Sequence, residues 1–147
     1  MFALLSLLAS EIERRAAVYL NLLDDDEKRA FAELAEKMIE ADGLVIGREA
    51  SALAALKAEM GGTEAGGQGG TVEELAGVFK SRRSKVAALL ELIGLGYSDT
   101  AFSVSEESLV NTVANQMAIP PDDLHAVEKW VQEHFSLIRR ALILMRE

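Results

Sequence analysis

Two acidic pairs recur in this chain at one fixed offset. Asp42 and Glu49 have six residues between them, as do Asp99 and Glu106, and the second pair follows the first by 57 positions. Residues 41–49 (ADGLVIGRE) align without gaps on residues 98–106 (SDTAFSVSE). Downstream, Leu53, Leu56 and Met60 correspond to Val110, Val113 and Met117, so each half reads as a helix–turn–helix unit. An aspartate at a helix carboxyl end faces the negative pole of the macrodipole, a cost of about 0.3–1 kcal/mol. Twice at equivalent places, it asks for a compensating donor or cation. The glutamates fall in the first turn of the next helix, where negative charge is favourable. Glu106 also completes a capping box with Ser103, whereas Ile46 stands at the equivalent position before Glu49. If the two turns pack together, Asp42, Glu49, Asp99 and Glu106 converge as four oxygen ligands, a set suited to Ca2+ or Mg2+ and not to zinc. The alternative is that the aspartates simply accept turn amides.

Other residues offer less chemistry. Lys80, Arg82, Arg83 and Lys85 place four cations in six residues. They suit either a phosphate, anionic-lipid or acidic-partner patch or, the reading favoured here, a solvated helix face that balances acidic neighbours. No aromatics interleave with them to stack bases. His125 and His134 are nine apart, on opposite sides of a helix, and neither belongs to a helical zinc or di-iron pattern. Ser6, Ser103 and Ser105 read as helix-surface or cap residues, and no Gly-x-Ser-x-Gly elbow occurs. With no nucleophile–base pair the expectation is a protein that is not an enzyme and requires no cofactor. The absence of cysteine excludes disulfides, thiolate metal sites and cysteine catalysis. A net charge of −9 argues against nucleic acid and for cationic or basic partners.

The elements that position these residues are helical. Half of the 147 residues are hydrophobic, enough for a single core and too many for a disordered acidic tail. Ala and Leu number 43 against 17 Val and Ile, a balance that favours helix over strand. Phe31, Leu34, Ala35, Met38 and Ile39 line one helix face, with Asp24, Asp25 and Asp26 at its start and Gly43 at its stop. Another helix is expected over residues 48–60. Residues 61–70 hold six of the eleven glycines and read as a linker, not a phosphate loop, since no Gly-Lys-Ser/Thr follows. Thr71 with Glu74 restarts the helix, and an apolar stripe of Val86, Leu89, Leu90, Ile93 and Tyr97 carries it to Asp99. Gly94 and Gly96 within it are expected to allow a close helix contact. Ser103 with Glu106 opens the next helix, and Pro120 and Pro121 open the last. Leu124, Val127, Val131, Phe135, Ile138, Leu142 and Met145 then recur at helical spacing. The prediction is an all-α, single-domain bundle of six or seven helices with a pseudo-two-fold repeat, its halves about 24–60 and 84–118.

Residues 2–9 are apolar but too short to span a membrane and lack the preceding basic residues of a signal peptide. Residues 1–19 are therefore expected to form an extra helix packed on the domain of a cytoplasmic protein with no transmembrane segment. This helix and the last one (Leu137, Ile138, Leu142, Ile143, Leu144, Met145) are apolar around more than one face. They either pack on each other and the bundle or serve self-association or a protein partner.

Residues 20–43, with Leu23, Lys28-Arg29-Ala30-Phe31 and Ala41-Asp42-Gly43, resemble the first half of the tellurite-resistance TerB-like family. Residues 89–130, with Leu90-Glu91-Leu92, Tyr97-Ser98-Asp99, Ser105-Glu106-Glu107 and Asp123-Leu124, resemble its second half, and Lys80-Ser81-Arg82 resembles the basic stretch between them. The resemblance covers about residues 20–135. It implies an all-helical bundle, a bacterial stress or metal-resistance association, and a cytoplasmic setting or one peripheral to a membrane complex. It also implies divalent-metal binding by the acidic residues, which fall on Asp42, Glu49, Asp99 and Glu106. The second copy departs from the family's Ala-Asp-Gly with Ser98-Asp99-Thr100, and without glycine a positive-φ turn is harder to adopt.

Overall fold

A computed structural model describes residues 17–41, 70–97 and 103–146. A 3-10 segment, Ala17–Leu22, is followed by α1 (Asp25–Ala41), α2 (Val72–Ala76), α3 (Arg82–Tyr97), α4 (Val104–Gln116) and α5 (Pro121–Leu144). The fold is all-α, and no strand occurs among the described residues. The helix expected over 48–60, the turn residues 42–49 and 98–102, the linker 61–69 and nearly all of the expected N-terminal helix lie outside the described residues. The described helices show no repeat.

Four of the five described helices start where a side chain replaces a missing intrahelical partner. At α1, Asp24 Oδ1 accepts the amide of Glu27 at 2.8 Å, and Glu27 Oε1 accepts the amide of Asp24 at 3.0 Å, a reciprocal capping box. Thr71 Oγ1 caps α2 through the amide of Glu74, and Ser103 Oγ caps α4 through the amide of Glu106. Ser81, the cap, and Ser84, buried in the first turn, do the same reciprocally for α3. Pro121 occupies the first position of α5, where a missing N–H costs nothing.

The helix begun at Thr71 does not run on to Asp99. It stops after Ala76, and Gly77, a poor helix former, leads into a short turn that buries Phe79. The Ser81 cap then begins a separate helix. Between α4 and α5 the chain reverses through a Schellman closure: the amide of Ile119 bonds to the carbonyl of Ala114 and that of Ala118 to Asn115. Ala118 sits at φ 57° there, in the region usually left to glycine.

α3 is the central element. It packs on the 3-10 segment, α1, α4 and α5, and so it buries Ala87, Ala88, Leu89, Leu92, Ile93 and Leu95, more than the one stripe its spacing predicts. Phe31, Leu34 and Met38 of α1, Val110 and Val113 of α4 and Met117 just after it join the same core. Each large side chain contributes about 1.5–3 kcal/mol by leaving water. Gly94 makes no close contact: a methyl group added there meets nothing within 4 Å, contrary to the expectation from sequence.

Candidate functional site

Of the four carboxylates expected to hold a cation, Asp42, Glu49 and Asp99 lie outside the described residues. Glu106 stands in the first turn of α4, buried, with its amide bonded to Ser103 Oγ at 3.1 Å. That bond is the Ser103 half of the capping box their spacing predicts, made to the main chain of Glu106. Among the described residues no group of three or more His, Asp or Glu is arranged to hold a metal ion.

Two other buried carboxylates clamp the fold, and the sequence reading assigned neither a structural role. Glu27, besides its cap, accepts the amide of Lys80 on Oε2 at 3.1 Å. Glu91 Oε1, in the middle of α3, accepts the amide of Tyr19 at 3.2 Å and so fixes the 3-10 segment on that helix. The Asp-x-x-Glu spacing of Asp24 and Glu27 was a readable capping signal; nothing local marks Glu91, whose bonded amide comes from 72 residues away.

The basic stretch is partly neutralised by acidic helix starts. Lys80 Nζ lies 3.1 Å from Asp24 Oδ2, and Arg82 Nη2 lies 3.0 Å from Asp123 Oδ2. Cations at the start of α3 oppose its dipole, and carboxylates from the starts of α1 and α5 offset them. The Glu27 amide and the Lys80 ammonium hold the Asp24 carboxyl below its ordinary value, and Asp24 in turn raises Lys80. Arg83 remains exposed and Lys85 half-buried, in keeping with a solvated face.

The described surface with the most unsatisfied apolar character belongs to α5. Its first half buries Leu124, Val127, Val131 and Phe135, the stripe read from sequence. Beyond Phe135 no described residue is buried: Ile138 and Leu142 are half-buried, and Met145 is exposed. A second flank of the helix carries Trp130 at 42% exposure, Leu137 at 59% and Leu144 at 84%. Trp130 stacks on His134, ring centroids 5.1 Å apart and planes within 8°, and meets Tyr19 edge-on at 5.9 Å. Beside Trp130 opens a groove of about 360 Å³ between α3, α5 and the 3-10 segment, lined by Tyr19, Val86, Leu90 and Val127, with the Arg82–Asp123 pair among its walls.

Among the described residues no helix is long and apolar enough to cross a membrane. The chain matches no protein-family model, no curated protein and no solved structure.

Proposed function

We propose that this chain is a non-enzymatic helical interaction module of the cytoplasm, and that it recognises protein through the exposed flank of α5. The observation that carries this reading is the exposure of Trp130, Leu137 and Leu144 on one helix. Water-exposed large apolar side chains in a row are what protein recognition sites use, and tryptophan is enriched among residues that dominate binding energy. The resemblance of residues 20–43 and 89–130 to the TerB-like family supports placing the module in a stress or metal-resistance response.

A photoreactive amino acid at Leu144, with a second at Asn111 on the exposed side of α4 as control, tests this reading in cells that express the chain. Adducts at position 144, absent at 111 and lost when Leu137→Glu is added, are the expected result. Equal labelling at both positions, or none at 144, contradicts it.

A second reading keeps the divalent cation, supported by the matched Asp-x6-Glu of Asp42–Glu49 and Asp99–Glu106. It predicts heat on calorimetric titration of the chain with Ca2+ or Mg2+ and none with the Asp42→Ala/Asp99→Ala double variant. No heat and no thermal stabilisation of the wild type at millimolar ion overturn it.

A further inference from the structure

We infer that the partner on this flank is a second copy of the chain, bound with its α5 antiparallel to the first. This rests on the reading of α5 as a protein-recognition surface and names its occupant.

The first observation is spacing. Trp130, His134, Leu137, Ala141 and Leu144 follow one another at four, three, four and three residues, the alternation of a coiled-coil seam. On a helix of 3.6 residues per turn they fall within an arc of about 80°. Trp130, Leu137, Ala141 and Leu144 are exposed and His134 is half-buried. The stripe that packs on α3, Leu124, Val127, Val131 and Phe135, lies to one side of this arc, and among the described residues only Tyr19, against Trp130, forms an aromatic contact with the seam from outside α5.

The second observation is charge, and it selects the occupant. The first part of α5 carries Asp122, Asp123, Glu128 and Glu133 against Lys129 alone. From Ser136 to Leu144 there are two arginines, Arg139 and Arg140, and no acid. A helix that is acidic at one end and basic at the other is complementary to itself when reversed. A two-fold axis through Leu137 sets Trp130 against Leu144 of the second copy and His134 against its Ala141. Glu133 and Arg140, both exposed, lie seven residues apart on the same outer edge of the seam. The reversed pairing brings each beside the other's counterpart, so the interface gains two Glu133–Arg140 contacts related by symmetry. A parallel two-fold pairing instead puts this edge on opposite sides of the seam in the two copies, so neither Glu133–Arg140 contact is made.

Sedimentation equilibrium on the purified full chain tests this. The wild type is expected to be a dimer that Leu137→Glu converts to a folded monomer, since Leu137 contributes to no core. Glu133→Arg and Arg140→Glu are each expected to weaken the dimer at least tenfold when alone. Mixed in equal amounts they are expected to restore it, because each contact in the mixed dimer again joins an arginine to a glutamate. Since the chain has no cysteine, Leu137→Cys is expected to cross-link on oxidation. Leu144→Cys is not, because antiparallel pairing holds the two 144 positions about 21 Å apart along the axis. A monomer at all concentrations, a dimer indifferent to these changes, or a mixture that fails to recover overturns the proposal. If the purified chain is monomeric while the Leu144 photoprobe still forms adducts in cells, the second copy is excluded and the recognition surface stands. If both experiments are negative, both readings fall.

Discussion

The carboxylate of Glu27 accepts the main-chain amide of Lys80 across 53 residues of sequence, at 3.1 Å, while its other oxygen closes the cap of α1 on Asp24 at 3.0 Å. One buried side chain thereby ties the start of α1 to the segment that leads into α3, the helix on which most of the fold is packed. Glu27→Ala leaves two amides without their acceptor and is expected to destabilise the fold by about 1–3 kcal/mol. Glu27→Gln retains one carbonyl oxygen and is expected to fall between the two. Urea midpoints of the three proteins check the order.

Asp24 and Lys80 make stability depend on pH. The Asp24 carboxyl is held below its ordinary 3.8 by the Glu27 amide and by Lys80. Its contribution is thus complete above that value and lost as pH falls through the lower, folded-state value. Lys80 is raised above 10.5 by Asp24, so its contribution is complete below 10.5 and lost as pH rises through the folded-state value. The stability difference between wild type and Asp24→Asn is expected to be level between these limits and to shrink in acid. Denaturation curves collected across pH check this; a difference that persists unchanged at the acid end contradicts it.

Gly94 lies inside α3 with open space where a Cβ would go. Gly94→Ala removes the entropic cost of glycine in a helix and is expected to stabilise by about 0.5–1 kcal/mol. A thermal melt that shows destabilisation means that the space is filled.

Ala118, at φ 57° in the α4–α5 reversal, presents the opposite case. Ala118→Gly relieves the left-handed strain and is expected to raise stability by up to about 1 kcal/mol, net of the added freedom of the unfolded chain. Ala118→Val, β-branched at a positive φ, is expected to lower it. Both are read from denaturant midpoints.

The sequence displayed the parts of this fold that are decided locally. The stripe from Phe31 to Met38, the Ser103 cap, the Pro120–Pro121 start of α5 and its buried stripe as far as Phe135 all follow from spacing within one helix. What it hid depends on distant segments. Gly77 ends α2 because the turn around Phe79 finds a place in the core, and the burial of Glu91 depends on an amide 72 positions away. Periodicity marked the end of α5 as apolar around more than one face. Only the packing of α3 shows which side is used internally and which remains exposed. Of the candidate acidic site, the structure describes Glu106 alone, its main-chain amide capped by the Ser103 hydroxyl as their spacing indicated.

Trp130 is the only tryptophan in the chain and stands on the proposed seam, so its fluorescence reports on that flank of α5. With rising concentration of the purified chain, its emission is expected to shift to the blue and its quenching by acrylamide to fall, both changes being abolished by Leu137→Glu. Emission and quenching that stay constant from nanomolar to hundreds of micromolar chain contradict the assignment of this flank as the surface on which two copies meet.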